Sequence, residues 1–431
     1  MANKTNYREV LKDNNYKKLL ASNLVNRFGD SIDAIAFTWL VYDITKSASW
    51  AAIIFGLNVL PNIFLQPFLG AFVERLDKKR VVVATHIIRT LIISLFVIMY
   101  LNSLVTPYIM VAFTLIITSV ESFNLPASSA FVQSILKKEN VTRALSLSQS
   151  LSSAMTLLGT ALAGVIIAKF GVQTAMFIDA ATFLIAGILT FTIRLERKKP
   201  ELAVVNETDK KESYIDLLKG GFKYIINNKI FVNYLLVAVI VNFLAVPLNA
   251  LQAPIAEDLY KLGSELLSVM GIGGSIGAIL GSIILPKVME KLSAKAILVV
   301  NGALVGVCMF ILSLGGFLNG AKIPGFLLAG FCFLLMMTAI SLLNGSLNVQ
   351  FMKMTDPDYM ARASSVFGAS CTAAMPVASF IVSAVALKLS TALLVGACGL
   401  LSVLVFLIVA ISRMQFEDKS LEIKGEELDA A

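Results

Sequence analysis

The chain has 431 residues, 57% of them hydrophobic and 15% charged, with a formal net charge of +8, one histidine and four cysteines. Ordinary soluble domains carry about 25% charged residues, and no soluble core could use apolar runs of about 20 residues repeated along nearly the whole chain, each able to cross about 30 Å of hydrocarbon. Composition therefore excludes a soluble globular protein, and one histidine with scattered thiols excludes a membrane enzyme built on a His, Asp or Cys cluster.

The first fifteen residues, MANKTNYREVLKDNN, contain no apolar segment, so no cleavable signal is expected and the first helix anchors the chain. Twelve spans are expected at 17–42, 48–73, 80–103, 107–136, 143–168, 172–194, 229–256, 264–289, 294–317, 323–352, 362–387 and 389–412. The fold class is all-α polytopic membrane protein. One six-helix bundle is expected at 1–194 and a second at 229–412, with a cytoplasmic central loop at 195–228 and an acidic tail at 413–431. Within that loop YIDLLKGGFKYIINNK reads as an amphipathic helix.

Span one contains LVNRFGDSIDAIAFTWLVYD, apolar except for Arg27, Asp30 and Asp33. A charge at the centre of a bilayer helix costs about 2.5–3.5 kcal/mol on insertion scales. At 100° per residue, Asn23, Asn26, Arg27, Asp30 and Asp33 share an arc of about 120°. That face must line a hydrated cavity or pair with other helices, and Arg27 and Asp30, three apart, are placed for a local ion pair. Asp30 lies midway between Lys18 and Asp43, and Glu121 midway between Pro107 and Lys137, so two carboxylates from different helices share one depth. Such a pair suits a proton or cation site; Asp33 lies nearer the outer surface. His86 and Arg89 are placed toward the cytoplasmic end of span three, His86 as an interfacial residue. Asp179 is read as structural.

Further candidates for a substrate cavity are the amides Asn23, Asn26, Asn58 and Asn124 in the first half and Asn242, Asn249, Asn344 and Asn348 in the second. GIGGSIGAILG spaces Gly273, Gly277 and Gly281 four apart in span eight, which lets helices approach closely. Cys308, Cys332, Cys371 and Cys398 fall in apolar segments without metal-site spacing and read as small core residues. No GxxxxGK[ST] phosphate loop occurs, which disfavours an ATP-driven pump. No cofactor or metal is expected.

Lysine and arginine sort over alternate loops: about 29 of the 36 fall on the side that holds both termini, against Lys46, Lys169, Lys261, Lys322 and Lys388 opposite. The positive-inside rule puts both termini in the cytoplasm and explains the net charge as topology, with no nucleic-acid partner. The chain also repeats itself. LGAFVERLDKKRVVV after span two and LPKVMEKLSAKAILV after span eight superpose Glu74 and Arg75 on Glu290 and Lys291 at an offset of 216 residues, and Arg143 matches Arg362 at 219. Two homologous halves of the same orientation follow, the plan of parallel-repeat transporters.

GAFVERLDKKR, with Gly70, Glu74, Arg75, Lys78, Lys79 and Arg80, resembles the signature between spans two and three of the major facilitator superfamily. NRFGDSIDAIAFTWLVY, FNLPASSAFVQSILKKENVTRALSLSQSL and GVQTAMFIDAATFLIAG are similar to its drug-exporting branch, which includes macrolide-efflux and enterobactin-exporter proteins. Glu74 stands where that signature usually has Asp, preserving a salt bridge to a neighbouring helix. Thr160, between Gly159 and Gly164, replaces the proline of the antiporter motif in span five, and span four lacks the arginine of many proton-coupled exporters. The resemblance implies a monomeric multi-pass protein of a bacterial plasma membrane, exporting amphipathic or lipophilic small molecules such as drugs in exchange for protons by alternating access. It implies that spans one, four, seven and ten line the cavity, which places Asp30 and Glu121 there, and that Gly70, Glu74 and Arg75 act at a cytoplasmic gate; the intramembrane charges themselves make Arg27, Asp30, Asp33 and Glu121 the candidates for proton or cation coupling. Transport of a siderophore, lipid or other metabolite, with different or no proton coupling, is the alternative.

Overall fold

A computed structural model describes residues 10–74, 76–136, 138–194, 220, 222–318, 320–355 and 360–416. Twelve long helices fill these residues: α1 Asn14–Thr45, α2 Ala48–Glu74, α3 Lys78–Leu101, α4 Pro107–Ile135, α5 Lys138–Phe170, α6 Val172–Phe191, α7 Lys229–Ala250, α8 Ser264–Lys291, α9 Ala294–Ser313, α10 Lys322–Met354, α11 Met360–Ala386 and α12 Thr391–Ile411. Eleven are long and apolar enough to cross a membrane. The other, α1, has the length at 32 residues, but its amides and charges dilute its apolar character. Of the expected amphipathic helix of the central loop, residues 214–219 and 221 lie outside the described residues, and 222–226 are helical.

Polar residues start the helices where their side chains can take up orphan amides. The Asp13 carboxylate accepts from the backbone N–H of Asn15 and Tyr16 at 2.8 and 3.1 Å, and Asp77, Thr106, Ser293 and Ser390 do the same for α3, α4, α9 and α12.

The chain divides into two compact units, Met1–Lys210 with Gly263–Gly271, and Lys211–Leu262 with Ile272–Ala431. In the first, α1 packs on α5 and α6, and α3 on α4 and α6; in the second, α7 packs on α11 and α12, and α9 on α10 and α12. The same pairings thus recur six helices later, as a duplicated unit requires. Residues 263–271 join the first unit through Ser268. Its hydroxyl donates to the Thr160 carbonyl at 2.7 Å and accepts from the Gly164 N–H at 2.6 Å, inserting into the hydrogen-bond ladder of α5.

Each unit ties its last helix to its first in the same way. In the first, Asn15 exchanges two hydrogen bonds with the Arg194 backbone, while Lys18 and Lys79 donate to the carbonyls of Thr192 and Ile193 at 3.0 and 2.7 Å. In the second, Asn233 and Tyr234 donate to the carbonyls of Gln415 and Phe416, and Lys295 to that of Ser412 at 2.6 Å. Cations thus sit on the carbonyl ends of α6 and α12, where the helix dipole favours them.

Candidate functional site

Four helices of the first unit each bring an ionisable side chain near mid-length: Asp30 on α1, Arg89 on α3, Glu121 on α4 and Asp179 on α6. Arg89 Nη2 meets Asp30 Oδ1 at 3.2 Å, with the Arg89 side chain 8% and the Asp30 side chain 25% exposed. Asn26 Nδ2 donates to the other Asp30 oxygen at 2.8 Å. The Arg89 guanidinium lies 3.8 Å over the ring centre of Phe183, a cation–π contact that strengthens when water is excluded. Buried His86 faces the same ring at 6.0 Å. Asp30, Glu121, Asp179 and Asp33 all lie within electrostatic reach of Arg89, so one buried base stands among four acids.

The sequence places Arg27 opposite Asp30 and Arg89 near the interface; both expectations are corrected. Arg27 is exposed and donates Nε–H to Thr156 Oγ1 at 3.1 Å on α5, while Arg89 and Asn26 bond the two Asp30 oxygens. Arg89 sits halfway along α3 and is 6% exposed. Glu121 is exposed, and Arg89, Asp30 and Arg27 act on it electrostatically; Arg89, Asp30 and Glu121 likewise act on half-buried Asp33. The two carboxylates chosen by depth therefore belong to one electrostatic cluster, whose centre is a base on a third helix.

The amides divide. Asn23 and Asn124 are half-buried and Asn58 is exposed, with Asn124 accepting from Ser128 at 2.7 Å. Asn242 and Asn249 donate to carbonyls of their own helix, while Asn344 and Asn348 are exposed on α10. Of the signature, the side-chain surroundings of Gly70, Glu74 and Arg75, and with them the expected Glu74 salt bridge, lie outside the described residues. Lys78 is half-buried, Lys79 holds the end of α6, and Arg80 forms an exposed pair with Asp77 at 3.7 Å, a kind worth about 0–1 kcal/mol. No group of three or more metal-ligating side chains occurs among the described residues.

Helices long enough to span a bilayer, with ionisable side chains gathered near mid-length in the first unit, define a polytopic membrane protein. The chain belongs to the Major Facilitator Superfamily, whose family model matches residues 19–379. Macrolide efflux protein A of Streptococcus pyogenes is 23% identical over 85% of this chain and 89% of its own length. The Staphylococcus aureus staphyloferrin A transporter is 21% identical over 68% and 72%, and the uncharacterised MFS-type transporter YkuC of Bacillus subtilis 25% identical over 69% and 71%. Among solved structures, the nucleoside transporter NupG aligns with a TM-score of 0.73 at 13% identity, over 93% of this chain and all of that one. A bacterial homologue of the iron transporter ferroportin aligns at 0.66 and 15%, over 92% and 99%.

Proposed function

We propose that the protein is a proton-coupled exporter of amphipathic small molecules, working by alternating access as a monomer in a bacterial plasma membrane with both termini in the cytoplasm. The observation that carries this reading is the Asp30–Arg89 pair, held at 3.2 Å at mid-helix depth with Glu121 and Asp33 in electrostatic reach. A buried ion pair is a poor source of stability, since desolvation offsets most of the attraction. Ionisable groups at such depth mark ion pathways and proton relays. The macrolide-efflux relatives support drugs as substrates. In this reading the domains run 1–194 and 229–412, and Gly70, Glu74 and Arg75 serve a gate facing the cytoplasm.

A second reading, export of a siderophore, is favoured by the staphyloferrin A transporter relative. The test is a susceptibility panel that includes macrolides, with and without expression, paired with efflux assays of a macrolide and of staphyloferrin A. Expression should raise macrolide resistance at least fourfold, and Asp30→Asn or Glu121→Gln should abolish the effect while leaving membrane expression intact. Unchanged resistance in both variants refutes the coupling assignment. Staphyloferrin A flux without macrolide flux transfers the conclusion to the second reading.

A further inference from the structure

Resting on the proton-coupled reading, we propose that Asp179 stores a proton inside the first unit, and that Arg89 expels it by exchanging Asp30 for Asp179. Asp179 is 0% exposed, and neither carboxylate oxygen has a hydrogen-bond partner. The Nε–H of Arg89, 6% exposed, also lacks one. A complementary acid and base thus stand unsatisfied within electrostatic reach of each other, although buried polar groups are nearly always paired. Full burial with neither oxygen hydrogen-bonded disfavours the ionised carboxylate, so in this proposal the carboxyl is the acid for as long as Arg89 stays on Asp30.

The described groups around Asp179 are engaged elsewhere, like-charged or uncharged, apart from Arg89. The Thr182 hydroxyl, beside it, donates to the Asp179 backbone carbonyl at 2.7 Å. From α1, Gly29 packs so closely that a Cβ there would stand 2.8 Å from Asp179 Oδ1. The charged groups acting on Asp179 are Asp33 and Asp30 from α1, Arg89 from α3 and Glu121 from α4. His86 of α3 shares the Phe183 ring and has an unpartnered Nδ1. Arg89 alone among them carries a fixed opposite charge.

The route for the exchange is built in. Phe183, on which the guanidinium rests, follows Asp179 by four residues, on the same face of α6 one turn away. A planar guanidinium stacks on aromatic faces, and this one has an unused Nε–H to offer. With Arg89 on Asp30, one O–H bond at Asp179 holds a proton taken from hydronium. When Arg89 moves to Asp179, that O–H bond breaks, the proton passes to water, and Asp30 becomes free to bind the next proton. No other reactant is needed.

Infrared spectroscopy of the purified protein at pH 7, with and without [4-13C]aspartate, tests this without a substrate. The wild type should show a protonated-carboxyl C=O band that the label shifts and that Asp179→Asn removes. Asp30→Asn, which frees Arg89, should remove the same band, and the double variant Asp30→Asn with Arg89→Gln should restore it. A wild type without a label-sensitive band, a band that survives in Asp30→Asn, or one that stays absent in the double variant overturns the proposal. If Asp179→Asn does not fold, the label and the Asp30 comparisons still decide. Wild-type flux of erythromycin in proteoliposomes that ignores a proton gradient would instead sink the coupling reading and leave this band pattern standing.

Discussion

Gly29 shows how tightly the charged cluster is seated. A methyl group there would overlap Thr182 Oγ1 and crowd Asp179 Oδ1, and overpacking of this kind costs about 1–3 kcal/mol. Gly29→Ala should lower the melting temperature of the detergent-solubilised protein, and adding Thr182→Ala should recover only part of the loss, since Thr182 Cβ and Asp179 Oδ1 would each still stand 2.8 Å from the added methyl; equal melting of the single and double variants would contradict the packing. The same residues mark how far the cluster is legible in the sequence. Asp30 and Glu121 stand out because a charge in an apolar run demands a partner or water. Arg89 obeys the same rule: nine residues beyond Arg80 at 1.5 Å each is about 13 Å, close to half the hydrocarbon thickness. The basic run KKR at 78–80 draws the eye to the interface and hides this. That Asp30 takes Arg89 rather than Arg27 is not legible, because spacing along one helix cannot weigh a partner arriving from another. Asp179 is hidden for a related reason: its burial depends on Gly29 across a helix contact.

At the scale of elements, span number and type follow from apolar runs, whose length is a direct consequence of bilayer thickness. The ties at the helix ends were within reach of the sequence too. The dipeptide Asn-Tyr recurs at 15–16 and 233–234, and Lys79 and Lys295 are separated by the repeat offset of 216, yet only the folded units reveal that Asn15, Lys79, Asn233 and Lys295 hold carbonyls beyond α6 and α12. A cation on a helix C-terminus is worth about 0.3–1 kcal/mol, and up to about 2 when partly buried. Lys79→Met and Lys295→Met should each lower stability by about that much in a denaturant titration and add when combined, since they lie in different units. The glycines of α8 act through geometry. A Cβ on Gly273, Gly277 or Gly281 would run into the backbone carbonyls of Gly330, Leu334 and Thr338 on α10, whereas one on Gly368 of α11 would meet nothing within 4 Å. Gly277→Ala should therefore lower the melting temperature, and Gly368→Ala should leave it unchanged or raise it, as helix propensity favours alanine by about 1 kcal/mol. Equal effects at the two sites would remove close helix approach as the reason for the motif.

For the whole molecule, the duplicated fold carries unlike chemistry in its two halves. The first unit gathers Asp30, Asp33, Arg89, Glu121 and Asp179, while the second offers neutral amides, with Asn344 and Asn348 exposed one turn apart on α10. Charges respond to a proton gradient; amides can only accept and donate hydrogen bonds to a solute. The division of labour proposed here assigns coupling to the first and substrate contact to the second, and kinetics can separate them. Removing one amide forfeits a net hydrogen bond of about 0.5–1.5 kcal/mol, which corresponds to about a 2- to 12-fold change in an equilibrium constant. Asn344→Ala and Asn348→Ala should accordingly raise the KM for an exported drug several-fold while keeping its dependence on the proton gradient. Asp30→Asn should do the reverse, leaving downhill exchange of drug measurable and abolishing accumulation against a gradient. The measurement is uptake into everted vesicles with and without a proton ionophore. If the amide variants lose gradient dependence along with affinity, coupling and recognition share one set of groups, and the asymmetry between the halves has some other origin.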